Sequence, residues 1–143
     1  MVNAMFERPN NGVFKEATAR ILSHLWEHSP VPTALTSSTV SQLFPELTVQ
    51  ESKVYRSTIT WLEDEHYIRT RMVESQFPGG LKGLKRTGDS VLTEKGYAFL
   101  ETPSRSDREK TLGQKVFESL RDGAKDIAAK AIAEAMLTFV RGW

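Results

Sequence analysis

Cysteine does not occur in this chain of 143 residues, and its absence closes two routes at once. No disulfide framework can staple the fold, and no thiolate can hold zinc. Long apolar runs are missing as well. The most apolar stretch, Ile127 to Val140, is broken by Lys130 and Glu134 and is too short to cross a bilayer. The opening MVNAMFERPNNG lacks the apolar core of a secretory signal. Nor is there an excess of one charge, with 19 Lys and Arg against 18 Asp and Glu. These absences point to a cytoplasmic protein, with membrane association unlike what the composition offers.

Recognisable enzyme chemistry is also missing. Gly79-Gly80-Leu81-Lys82-Gly83 has the glycines of a phosphate-cradling loop, but no GK[ST] and no helix straight after it. Glu63, Asp64 and Glu65 are consecutive on a helix, point in different directions, and so cannot work as a carboxylate pair. His24 and His28 lie one turn apart, and His66 is the only other imidazole in the chain. We expect surface or helix-end histidines there, and no metal site. The expectation is a protein that is not an enzyme and has no cofactor. Nothing in the sequence identifies a small-molecule effector.

What is present is organised around residues 48–100. Thr48 stands three residues before Glu51, a capping box that opens a helix. Val54, Thr58, Trp61 and Leu62 recur at helical spacing and are expected to form its core stripe. Gln50, Lys53, Ser57 and Thr60 share the other face, flanked by Tyr55 and Arg56. Residues 67–74 then alternate as a strand, with Tyr67, Arg69, Arg71 and Val73 on one side. A long glycine-rich loop is expected over 75–88, then a return strand over 90–93. Between Ile68 and Gly88 there are five bases (Arg69, Arg71, Lys82, Lys85, Arg86) against one acid, Glu74. So local a basic patch on a near-neutral chain suggests a directed contact with a polyanion. Phe77 and Leu81 at the loop's tip are open to several roles: folding back, touching a partner, or wedging into a minor groove.

Upstream, Phe14, Ala17, Ile21, Leu22, Leu25 and Trp26 predict an amphipathic helix over 13–28, after a mobile arm at 1–12. Val40, Leu43 and Phe44 predict a short helix ended by Pro45. Leu25, Trp26, Leu43, Val54 and Trp61 are expected to share a core. The fold class is therefore mainly α with a small β-hairpin (α+β): a winged helix-turn-helix domain over 13–100 whose third helix reads double-stranded DNA. The candidate DNA-binding residues are those polar and basic side chains of the third helix and the hairpin.

The segment Leu92-Thr93-Glu94-Lys95-Gly96, with the preceding WLEDEHYIRTR, resembles the end of the wing and the reader helix of bacterial winged-helix regulators of the MarR-like and PadR-like kinds. The likeness covers about residues 13–100. It departs in its long wing loop and in lacking PadR-like first-helix motifs. It implies a DNA-binding transcriptional regulator, usually a dimer.

After a linker at 101–106, Ser106 and Glu109 form a second capping-box pattern, and one long helix is expected over 107–141. Leu112, Val116, Leu120, Ala124, Ile127, Ala131, Ala135 and Phe139 make one stripe, widened by Phe117, Ala128, Ile132, Met136 and Val140. So wide a face predicts self-association through this helix, and a folded monomeric domain once it is removed after Ser106. Folding back onto its own domain, or lying on a membrane surface through Phe139 and Trp143, are the other readings. The alternative function is a winged-helix module for protein interaction or assembly.

Overall fold

The structure, a computed structural model, describes residues 10–36, 39–76 and 82–142, with 71–76, 82–88 and 140–142 described by their backbone alone. Phe77 and Leu81, Trp143, and nearly all of the expected arm lie outside these residues. In chain order the elements are α1 (Asn11–His28), α2 (Val40–Leu43), α3 (Val49–Asp64), β1 (Ile68–Gln76), β2 (Lys82–Leu92), α4 (Glu94–Leu100), α5 (Leu112–Arg121) and α6 (Lys125–Gly142). The architecture is mainly helical with one antiparallel hairpin.

The central element is α1. Ala17, Thr18, Ala19, Ile21, Leu22, Ser23 and Leu25 are all buried, a pattern that runs round most of the helix. A helix apolar on most sides must be covered on most sides, and α3, α5 and α6 all pack against it. Ala17 and Ala19 let those neighbours come close. Each Ile or Leu buried here contributes about 1.5–3 kcal/mol. Of the five residues expected to share the core, Leu25 does; Trp26, Leu43, Val54 and Trp61 are half-buried at its edge. Tyr55, Ile59, Leu62, Tyr67, Phe99 and Leu100 hold the centre instead.

At the end of α3, His66 takes a left-handed conformation (φ 65°). The N–H of His66 donates to Glu63 at 3.1 Å and that of Tyr67 to Leu62 at 2.9 Å. This paired closure satisfies carbonyls the helix leaves open. It also turns Tyr67 inward, fully buried, ahead of the strand rather than in it. Tyr67, expected on the Arg69 side of the strand, therefore belongs to the core instead. Over 68–70 the alternation is regular, with Ile68 and Thr70 buried and Arg69 exposed.

The expected long loop over 75–88 is mostly strand. Glu74 pairs with Leu84 and Gln76 with Lys82. Glycines and basic side chains hid this strand, because its partner rather than its own pattern holds it. Between Thr70↔Ser90 and Met72↔Arg86 the register shifts, so that Arg71 alone lies opposite Thr87, Gly88 and Asp89. Such a bulge bends and twists the ribbon. At its base Thr33 adds a one-residue bridge: its N–H donates to Ser90 at 2.9 Å, and the Ser90 N–H donates back at 2.7 Å.

The single C-terminal helix expected over 107–141 is two helices. The Ser106/Glu109 box does not form; Thr111 and Gln114 form one instead and open α5 at Leu112. The linker is tied down, with the Ser104 N–H donating to Lys110 at 2.9 Å and the Leu112 N–H to Thr102 at 2.8 Å. The break falls at Gly123, whose φ of +79° suits glycine. Gly123 N–H donates to Leu120 at 3.1 Å and Ala124 N–H to Ser119 at 2.8 Å, the same closure that ends α3. Gly123 is a stop, not a notch for another helix.

The elbow folds the apolar stripe back onto α1. Leu112, Val116, Ala128, Ile132 and Met136 are buried within the chain, so four of the expected oligomerisation residues (Leu112, Val116, Ile132, Met136) are core. Phe139 packs its ring on Phe99 at 5.2 Å and Tyr67 at 6.3 Å. Phe117, Leu120, Ala124, Ala131 and Ala135 are half-buried, and Ile127 alone is exposed among the described side chains of the stripe. Among the described residues no helix is long and apolar enough to cross a membrane.

Candidate nucleic-acid interface

The exposed face of α3 follows from what holds the helix in place. Thr48 accepts the Glu51 N–H at 3.1 Å, and Glu51 accepts the Thr48 N–H at 2.9 Å, so the first turn is fixed. That backbone bond, with the Thr48 side chain, keeps the Glu51 carboxyl below its usual range. One face carries Ser52, Tyr55, Thr58, Ile59 and Leu62 into the core. At 3.6 residues per turn, the opposite face then presents Val49, Gln50, Lys53, Arg56, Ser57 and Thr60. Gln50, Lys53, Ser57 and Thr60 are exposed, as expected, and Arg56 is half-buried. The Thr60 hydroxyl donates to the Arg56 carbonyl at 3.3 Å.

Tyr55 does not belong to this face. It is fully buried against Phe44, with ring centroids 5.1 Å apart. Its phenol donates to Glu16 at 3.2 Å and accepts from Arg20 at 3.0 Å. A tyrosine is core-compatible when its hydroxyl finds such partners, and both come from α1, out of reach of any local pattern. The buried stripe keeps Thr58 and Leu62 as expected but adds Tyr55 and Ile59, while Val54 and Trp61 are only half-buried. Burial pushes the Tyr55 phenol well above its ordinary value.

Arg20 is the hinge pin of this arrangement. Besides Tyr55, it donates to Glu46 at 2.6 Å and lies over the Phe44 ring at 4.5 Å from its centroid. Burial opposes its charge, but Glu46 and Tyr55 outweigh that and hold the guanidinium above its ordinary range. Lys125 of α6 approaches the same Glu16 at 3.7 Å. The network locks α1, the turn before α3, α3 and α6 together, which fixes the orientation of the exposed face.

The resemblance segment has a structural role. Thr93 accepts the Gly96 N–H at 3.1 Å, capping α4, and its hydroxyl donates to the His66 carbonyl. Lys95 donates to the Glu65 carbonyl at 2.9 Å, with its ammonium 4.6 Å from the Tyr67 ring centroid. A Cβ on Gly96 would strike the Tyr67 carbonyl. These residues weld the base of the hairpin to the end of α3.

Arg69 is exposed on β1. Arg71, Lys82, Lys85 and Arg86 lie in the hairpin, described there by backbone only; Lys85 pairs with Val73 and Arg86 with Met72. The hairpin leaves directly from the C-terminal end of α3, so the basic segment and the polar face are consecutive parts of one unit. His24 lies 3.2 Å from the Thr33 hydroxyl, and the His28 ring nitrogen lies 2.9 Å from the His24 carbonyl. Among the described residues no group of three or more His, Asp or Glu is placed to hold a metal ion. No family model, no curated protein and no solved structure matches this chain.

Sequence reasoning missed Val49, the first residue of α3, which is 75% exposed. Its position immediately after the Thr48 cap and four residues before Lys53 was the available signal.

Proposed function

We propose that the chain is a sequence-specific, double-stranded-DNA-binding protein, a transcriptional regulator that reads its site with α3 and grips phosphates with the hairpin. The observation that carries this reading is the direct succession of α3, with its exposed polar face, and a hairpin holding five bases in its sequence. Lys and Arg neutralise phosphate, while Gln, Lys, Arg and Ser side chains on a helix reach base edges in the major groove. The element order supports it too: α1, a bridging residue, α2, α3 and a hairpin is the order of a winged helix-turn-helix domain. The lack of cysteine suits a reducing compartment such as the cytoplasm. Self-association would use a narrower face than the whole stripe, because Leu112, Val116, Ala128, Ile132 and Met136 are buried within the chain.

The test separates grip from reading. Replacing Lys82, Lys85 and Arg86 together with Ala weakens binding to all duplexes and flattens the salt dependence, by about 0.9 in log–log slope for each phosphate no longer neutralised. Lys53→Ala and Arg56→Ala each cost about 1–3 kcal/mol on the selected site and little on random DNA. Unchanged affinity in the triple variant contradicts the role of the wing. Equal effects on selected and random duplexes would reduce Lys53 and Arg56 to phosphate ligands.

A further inference from the structure

Val49 offers an apolar group where the rest of the reader face offers donors and acceptors. It opens α3, and the capping box formed by Thr48 and Glu51 on either side of it fixes the local backbone. A β-branched side chain in a helix holds essentially one χ1 rotamer, so its two methyl groups keep a defined direction. That direction is outward, since 75% of the residue is exposed. Val49, Lys53, Arg56 and Thr60 follow at intervals of four, three and four, one stripe along the helix, with Gln50 and Ser57 beside it.

A lone exposed valine is ordinary on a protein surface. Its neighbours give this one its meaning. Val31 and Ile127, also exposed, sit on the α1–α2 connection and on α6, not on α3. In the major groove thymine alone presents a methyl group, which hydrogen-bonding side chains do not read and an apolar one does. Resting on the DNA-binding reading above, we propose that Val49 is a specificity determinant that packs against the C5 methyl of a thymine in the site.

Deoxyuridine tests this directly, because it differs from thymidine only by that methyl. The full chain selects its sites from a randomised duplex library, and each thymine of the selected site is then replaced singly by deoxyuridine. At one thymine position, affinity falls about three- to tenfold, the factor that removing one methyl from an apolar environment brings. Val49→Ala binds the thymidine and deoxyuridine duplexes about equally. Val49→Thr, which keeps a methyl and the branched shape, retains most of the discrimination. Because the side chain is exposed, both variants melt with the wild type. A selected site with no sensitive thymine, or full sensitivity kept in Val49→Ala, overturns the role of Val49 and leaves DNA binding standing. A library from which nothing is enriched, together with no duplex bound, overturns both.

Discussion

The ammonium of Lys95 donates to the carbonyl of Glu65 across 2.9 Å, bringing a positive charge to the C-terminus of α3 where the chain has placed Glu63, Asp64 and Glu65. A cation at a helix C-terminus favours the dipole that the acidic run opposes. Thr93, two residues earlier, caps α4 and reaches the His66 carbonyl. The pair ties the start of α4, just after the hairpin, to main-chain carbonyls at the end of α3.

Thr93→Ala removes the cap and the bond to His66 together. The expected cost is about 1–2 kcal/mol of unfolding free energy, measured by urea denaturation. Thr93→Ser keeps both bonds and most of the stability. Equal destabilisation in the two variants would show that the methyl group, not the hydroxyl, matters.

Two buried tyrosines give opposite expectations. The Tyr55 phenol bonds Arg20 and Glu16, so Tyr55→Phe costs about 1–2 kcal/mol. It leaves the salt dependence of the proposed DNA binding unchanged, because Tyr55 faces inward. The Tyr67 phenol is buried with no hydrogen-bond partner among the described residues, and burial, with the Glu65 charge nearby, pushes it up to about 12. Tyr67→Phe is therefore neutral or slightly stabilising. Denaturation curves of the two variants settle both points.

Removing the chain after Ser106 takes away Leu112, Val116, Ala128, Ile132 and Met136, all buried within the chain. Several such side chains at about 1.5–3 kcal/mol each together rival the roughly 5–15 kcal/mol on which a domain stands. The fragment should lack a cooperative thermal transition by circular dichroism. A sharply melting fragment would restore the expectation of an independent domain with a detachable tail.

His24 makes stability depend on pH. Burial, and then the neighbouring His28, lower its affinity for a proton, with Glu27 opposing. The unfolded chain thus binds that proton more readily, and stability present above about pH 6.5 falls as the pH drops below it. His24→Gln should flatten the decline in urea midpoint between about pH 7.5 and 5.5, the range that spans an ordinary histidine. An equally steep decline in the variant would assign the effect elsewhere.

Local signatures were legible in the sequence and contacts across the chain were not. The Thr48–Glu51 box lies within four residues and forms as expected. Two capping-box patterns, Ser106/Glu109 and Thr111/Gln114, compete over nine residues, and the second wins where Leu112 starts the buried stripe. Asp122-Gly123 carried the signal of a helix stop, but the apolar period continuing past it suggested one helix. The inward turn of Tyr55 needed Arg20 and Glu16, and the coverage of α6 needed an α1 buried on most sides. The exposed polar residues of α3 were legible because water selects polar side chains on a solvated face.

The measurement closest to the central claim is the affinity of the full chain for duplex DNA as a function of salt. Neutralised phosphates release counterions, so the logarithm of the association constant falls linearly with the logarithm of salt concentration. With the five bases of the hairpin each neutralising a phosphate, the expected slope is about −4.5, at about −0.9 per phosphate. Binding that is absent at low salt, or that is indifferent to salt, would contradict it.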